Sequence, residues 1–348
     1  MHRITILGAG AMGSALTTPL IQNGHEVRLW GTEFDSELLT ELRANKPHPR
    51  LGIHLAPGLQ FYDPPDIEAA LTDADVVILA ITSDGVVSIL QRAVPYLRPG
   101  QALLMVSKGF GYDATQHIRL LPTLLTAALP PHLRESCPIV AIGGPCKANE
   151  VAAGWPTATV YGSENQQALT LCRALLQTEN YRLCLTDDVV GLEVAAALKN
   201  TYAIALGICI GLEEASKHPW HNLKSAIFTQ AIVEMARIAQ ALGGRSETVT
   251  GLAGAGDLEV TATSGRNRVL GERLGRGESI ATALATMRRL QQTVEGVAAA
   301  RYAVELAAQL VNAGQLVTAD YPLLSAIQAI LSGEAHLVET LSRAALPA

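Results

Sequence analysis

From its first residues the chain sets apolar positions in short unbroken runs. "RITILG" (3–8), "HEVRLW" (25–30), "ADVVILAI" (74–81), "ALLMVS" (102–107), "PIVAIG" (138–143) and "TATVYG" (157–162) are each rich in Val, Ile or Leu. Continuous runs of this length belong to strands covered on both faces. Helical patterns lie between several of them, at "GSALTTPLIQNG" (13–24) and "DATQHIRLLPTLL" (113–125). Such alternation predicts right-handed crossovers and a doubly wound parallel sheet. After "YRLCLTDD" (181–188) the pattern changes. Thr186, Asp187 and Asp188 supply a helix start, with carboxylates where the helix dipole favours them. From there the Ala- and Leu-rich spans 189–215, 223–242, 278–290 and 293–312 predict helix after helix and no strand. The reading is an α/β domain over 1–186 followed by an all-helical domain over 187–348.

The stretch 194–212 is apolar enough to cross a bilayer, but Lys199 and Asn200 lie inside it. In lipid they would cost a few kcal/mol, so a buried core helix is expected and no membrane insertion. Composition agrees: 49% hydrophobic residues supply a packed interior, and 17% charged residues are too few for a disordered chain. A length of 348 residues suits two domains, since single cores rarely grow past about 250–300 residues. The net charge of -6 argues against a nucleic-acid partner, which needs a basic face. Five cysteines, an odd number with no CxxC pair, read as buried thiols in a reducing compartment. With a strand-like start in place of a signal peptide, they imply the cytoplasm. His218 and His221 in "HPWH" find no third ligand at useful spacing, so no metal is expected. The apolar helical half has surface enough for a homodimer.

Candidate chemistry begins at "ILGAGAMG", where Gly8, Gly10 and Gly13 follow the first strand and open a helix. In this spacing the first Gly makes a tight turn, the second admits a pyrophosphate and the third lets helix and strand approach, with the anion at the helix N-terminus. Dinucleotide binding follows. The second strand ends in "LWGTEFD", where Glu33 is the carboxylate available to a ribose 2′-hydroxyl. No Arg or Lys stands between Trp30 and Glu41 to welcome a 2′-phosphate, a lean towards NAD over NADP. Lys108 in "VSKG" follows the fourth run directly, at the carboxyl edge where open α/β sheets bind ligands. Further on, "GLAGAGDLEVTATSGRNR" (251–268) delivers Asp257, Thr261 and Thr263, then Arg266 and Asn267 at a new helix start. That start suits a phosphate.

In order, "GAGAMG", "SKG", "GGPCKANEVAAG", "GLEVAAALKN", "GLAGAGDL", "SGRNR" and "VEGV" resemble the NAD(P)-dependent glycerol-3-phosphate dehydrogenase family, over essentially the full chain. The resemblance implies a Rossmann-type N-terminal domain and an all-helical C-terminal domain, the 6-phosphogluconate-dehydrogenase-like arrangement, with an active site served by both. It implies reversible reduction of dihydroxyacetone phosphate by NAD(P)H, supplying glycerol 3-phosphate for phospholipid synthesis. Lys199 matches the family's general acid/base, its pKa brought down by partial burial. Lys108, Gly144, Asn200, Asp257 and Thr261 would line the reacting end. Arg266 and Asn267 would hold the phosphate. Ala11, Met12, Ala148, Glu295, Lys108 and Arg266 would join the glycines and Glu33 around the cofactor.

Three departures from the family pattern stand out. Gly144-Pro145-Cys146-Lys147-Ala148 has a thiol where the family carries a hydroxyl, and a new cation after it. Gln230 in "TQAIVEM" replaces an Arg, and Met12 replaces an aromatic residue of the glycine loop. Cys146, Lys147 and Gln230 raise the alternative of a paralogue acting on another phosphorylated ketone. A non-catalytic NAD(H) sensor is a third reading. The complete set of Lys108, Lys199, Asp257, Arg266 and Asn267 argues against it.

Overall fold

The computed structural model describes residues 1–290 and 292–347. They form two compact units, one of Met1–Gly111 with Leu120–Val189, the other of Tyr112–Arg119 with the chain from Val190 onward.

The first unit is built on an eight-stranded sheet. Its strands are β1 (Arg3–Leu7), β2 (Glu26–Trp30), β3 (Gln60–Tyr62), β4 (Val76–Leu79), β5 (Ala102–Met105), β8 (Ile139–Gly143), β9 (Thr157–Gly162) and β10 (Tyr181–Thr186). Two further strands, β6 (Phe110–Tyr112) and β7 (Ile118–Leu120), pair with each other. The sheet order is β10-β9-β8-β5-β4-β1-β2-β3, so the winding reverses direction at β1 and β4. Every residue of β4 and β5 is buried, which is why these strands read as unbroken apolar runs.

The pattern predicted a parallel sheet, and the structure departs from it at one strand pair. β9 runs antiparallel to β8, while β10 is parallel to β9. The helix Ala148–Ala152 between β8 and β9 is held against the helix Ala11–Gln22, where Thr18 Oγ1 donates to Ala152 O at 3.2 Å. From there the chain re-enters the sheet in the opposite sense. A run of apolar residues marks a strand but carries no sign of its direction.

The helix expected over 113–125 begins only at Leu121 and runs to Ala128. Asp113 accounts for the difference. Its Oδ1 accepts from Thr115 N, Thr115 Oγ1 and His117 N at 2.6–3.0 Å, and Gln116 adopts φ 62°. This side-chain turn competes with helix and closes the β6–β7 hairpin instead. Those donors and Arg119 hold the Asp113 carboxyl far below the usual range.

In the second unit the described residues from Val190 onward contain helices and turns and no strand. The long helix Val189–Ser216 is buried without interruption from Gly191 to Cys209. It is long and apolar enough to span a membrane, yet 94% of its most apolar window is buried inside the protein, so it is a core helix. Packing against the helix Arg266–Gly275 is backbone to backbone. A Cβ on Gly207 or Gly211 would overlap the carbonyls of Arg268 or Glu272. One on Gly271 or Gly275 would overlap those of Ile204 or Ile208.

A buried carboxylate ties three helices of this unit together. Glu234, on His221–Ala241, accepts from Tyr202 OH (3.0 Å), from Gln230 Nε2 (2.9 Å), and from Leu323 and Leu324 N (2.6 and 2.8 Å). The last two open the helix Pro322–Leu331, so Glu234 satisfies its orphan N–H groups from outside. Burial pushes its carboxyl up against the opposing pull of those donors.

The five cysteines form no disulfide. Cys137, Cys172 and Cys209 are buried as expected, but Cys146 is half-buried and Cys184 is exposed. Cys184 lies on β10, an edge strand whose side chains alternate between core and solvent, and it falls on the outer face.

Candidate active site

The glycine loop of the first unit meets the needs of a dinucleotide one residue at a time. Gly8 leaves β1 with φ 112°, and a Cβ there would lie 2.5 Å from Ala80 O, just beyond β4. The loop therefore occupies the crevice where the sheet order reverses, the place open α/β sheets offer to ligands. Gly10 has no atom within 4 Å of an added Cβ and precedes the helix Ala11–Gln22, with no side chain capping its N-terminus. Gly13 packs so closely that a Cβ would overlap Gly8 O and lie 2.8 Å from Ala80 Cβ. Turn, open approach and helix–strand contact are all met, so the cradle fits a pyrophosphate.

β1, β4, β5 and β8 run parallel, so their carboxyl ends share one edge. Half-buried Lys108 follows β5 on that edge. Gly144 follows β8 there with φ 88°. Ala148 opens the helix packed against Ala11–Gln22, and Ala11, Met12 and Ala148 all lie against the core of this unit. Glu33 is 60% exposed at the side chain and is held by Arg92, whose Nη1 donates to both carboxylate oxygens at 2.8 and 3.2 Å.

The second unit gathers the other candidates. Lys199 donates to Asp257 Oδ1, and both are buried. An ammonium in a helix core is tolerable because a carboxylate answers it there. Asp257 reaches this position from a π-helical turn, Leu252–Gly256, in which Gly254 leaves no room for a Cβ against Val249 O. Thr261 stands one helical turn beyond Asp257, its hydroxyl donating to Asp257 O at 2.6 Å. The neighbouring Asn200 donates to Glu295 Oε2 at 3.3 Å, and Glu295 Oε1 lies 3.5 Å from Arg266 Nη2. Asn267 Oδ1 accepts from Gly296 N at 2.9 Å. Seven side chains from four helices thus form one array, from a buried Lys199–Asp257 floor to an exposed Arg266–Glu295 rim. Arg266 opens its helix, and Gly265 offers no side chain to cap it, so the first-turn N–H groups have no side-chain acceptor at the cap position.

Residues 3–169 match the profile of the NAD-dependent glycerol-3-phosphate dehydrogenase N-terminus, and residues 188–342 that of its C-terminus. The chain belongs to this family. An NADP(+)-dependent glycerol-3-phosphate dehydrogenase of Archaeoglobus fulgidus is 40% identical over 94% of each chain. The glycerol-3-phosphate dehydrogenase [NAD(P)+] of Geobacter sulfurreducens is 36% identical over 88% of each. Among solved structures, the glycerol-3-phosphate dehydrogenase of Coxiella burnetii superposes with a TM-score of 0.81 at 28% identity, over 98% of both chains.

Within the dehydrogenase family the departures from pattern acquire structural explanations. Cys146 Sγ lies 3.7 Å from Tyr181 OH, which in turn is 3.1 Å from Tyr161 OH, and the thiol packs against the core of the first unit. Lys147 pairs with Glu150 at 3.8 Å. Gln230 belongs to the Glu234 anchor. Each residue is engaged in its own packing, and the family assignment supports the parent reaction over a changed substrate.

Two residues near the dinucleotide cradle escaped sequence reasoning. Arg92 is the guanidinium whose absence near Trp30 favoured NAD; it reaches Glu33 from 59 residues further along the chain. His48 is fully buried, with Nδ1 accepting from Arg50 N (3.1 Å), so Nε2 carries the proton and donates to Ala9 O (3.3 Å) in the glycine loop. The one sequence signal for it was a His between two prolines at Pro47 and Pro49.

Proposed function

We propose that this chain catalyses the reversible NAD(P)H-dependent reduction of dihydroxyacetone phosphate to sn-glycerol 3-phosphate, a cytoplasmic reaction supplying phospholipid synthesis. The observation that carries the reading is Lys199, a buried ammonium answered by Asp257 and flanked by Asn200, Thr261, Arg266 and Asn267. When bound, the nicotinamide cofactor supplies or takes up the hydride. Charge then develops on the ketone oxygen, and Lys199 Nζ is the group assigned to stabilise it and deliver the proton; in oxidation it takes the proton back. Asp257 orients the ammonium through their ion pair. Arg266 and the first-turn N–H groups of its helix suit the phosphate, Arg266 exchanging the exposed Glu295 carboxylate for a stronger anion. Phosphate held at one end and ammonium at the other fixes the carbonyl between them.

Consumption of NADH or NADPH with dihydroxyacetone phosphate tests this directly. Lys199→Ala should lower kcat by about 10²–10⁴-fold while NADH still binds by fluorescence, and Arg266→Ala should chiefly raise KM for the phosphorylated ketone. Near-normal turnover in Lys199→Ala would refute the proton-transfer role. Tight NADH binding by the parent protein with no ketone reduced would leave a sensor instead.

A further inference from the structure

The residue missing from the sequence argument about cofactor choice is present in the fold. β2 ends at the fully buried Trp30, and the guanidinium of Arg92 lies over its ring, 5.2 Å from the centroid. Arg92 comes from the last turn of the helix Val86–Ala93, and its Nη2 donates to Pro64 O at 3.3 Å. Ring and carbonyl hold the group without any help from Glu33. The other acidic side chain of the loop is already committed, because Asp35 Oδ2 accepts from Thr32 N (2.9 Å) and Thr32 Oγ1 (2.8 Å). Glu33 alone is mobile in its chemistry: an exposed carboxylate on an Arg, a pairing that contributes little and exchanges readily.

The end of the second strand is where a dinucleotide fold meets the adenosine ribose, and a carboxylate there accepts the 2′-hydroxyl while an Arg accommodates a 2′-phosphate. We propose that Arg92 is the residue through which this protein accepts a 2′-phosphorylated dinucleotide, with Glu33 as the carboxylate that the phosphate displaces. In this arrangement the guanidinium serves the phosphorylated cofactor and the carboxylate the other. With NADH bound, Glu33 remains on Arg92 and turns its second oxygen to the ribose hydroxyl. With NADPH, the phosphate takes the fork that Glu33 occupied. A phosphate carries more charge and a third acceptor oxygen, so it is the stronger partner for a planar donor pair. The inference rests on the dinucleotide reading of the glycine loop and refines it to a choice of cofactor.

The test is direct binding, independent of turnover: NADPH and NADH titrated by fluorescence into the parent protein, Arg92→Ala, Arg92→Lys and Glu33→Gln. Adenosine 2′,5′-bisphosphate and 5′-AMP serve as competitors. Arg92→Ala should weaken NADPH about tenfold or more, in line with loss of a charge-assisted pair, and leave NADH within about twofold. Arg92→Lys should recover part of the NADPH affinity, and Glu33→Gln should tighten NADPH while weakening NADH. The bisphosphate should lose its advantage over 5′-AMP in Arg92→Ala alone. Equal losses for both cofactors would make Arg92 a packing residue over Trp30 and overturn the assignment, as would NADPH affinity unchanged in Arg92→Ala. A parent protein that bound neither cofactor would instead bring down the dinucleotide reading itself.

Discussion

Glu234 offers the sharpest test of how the helical unit is held together. Replacing it with Ala removes the acceptor shared by Tyr202 OH, Gln230 Nε2, Leu323 N and Leu324 N. Gln230 is only half-buried and can turn to water, but Tyr202, Leu323 and Leu324 are fully buried. Three buried donors are therefore orphaned, at about 1–3 kcal/mol each. The space left by the side chain admits some water, so the lower half of that sum applies, about 3–6 kcal/mol. For a unit of this size each kcal/mol lowers Tm by about 2–4 °C, which predicts a fall of about 6–24 °C in the transition of the helical unit. Differential scanning calorimetry reads it, with Tyr202→Phe as the internal comparison. That change removes one donor and leaves the carboxylate with three, so it should cost about 1 kcal/mol. Turnover should fall in Glu234→Ala as well, because Tyr202 lies on the same helix as Lys199, three residues on. A Tm within 2–3 °C of the parent (about 1 kcal/mol) would refute the reasoning.

Two further predictions come from titratable groups. Burial holds the His48 ring below its usual 6.5 and neutral, with Nδ1 committed as an acceptor. A depressed base contributes stability that is fully present above 6.5 and lost as pH falls from there through the lowered folded value. Parent protein should therefore lose more Tm than His48→Gln between pH 7.5 and 5.5, and identical losses would show that protonation of His48 is not linked to folding. Among the thiols, Cys172 and Cys209 are buried and pushed up to about 12, so neither should react with a thiol reagent until the protein unfolds, whereas Cys184 should label first. Mass spectrometry of partially labelled protein identifies the sites; early modification of Cys172 would contradict the packing.

What could be read from the chain alone was whatever its own neighbours decide. The glycine loop was legible because each Gly has a local task, and all three tasks appear in the fold. The buried helix was legible because an apolar run with one Lys and one Asn in it has few other uses. Asp113 misled the helical reading for the opposite reason: a polar residue that fits a first helical turn also caps a tight turn, and three donors within four residues decided the matter. β3 is three residues long and half-exposed, too brief for any periodicity. Arg92 was illegible in principle. Its meaning depends on Trp30, Glu33 and Pro64, all far away in sequence, and no pattern near Glu33 announces it.

Gly207, Gly211, Gly271 and Gly275 bear on precision as much as on packing. Lys199 and Asn200 ride on one of the helices they join, and Arg266 and Asn267 on the other. Most helix pairs are spaced by side chains, whose rotamer hops act as slack between the two axes. Here peptide planes rest on peptide planes with nothing adjustable in the joint. The spacing between Lys199 and Arg266, the groups proposed above for the proton and the phosphate, is thus set by backbone packed directly on backbone, like two rulers laid edge to edge. On that proposal a substrate one carbon longer would not be met by flexing this seam, and discrimination by length would be inherited from the backbone itself.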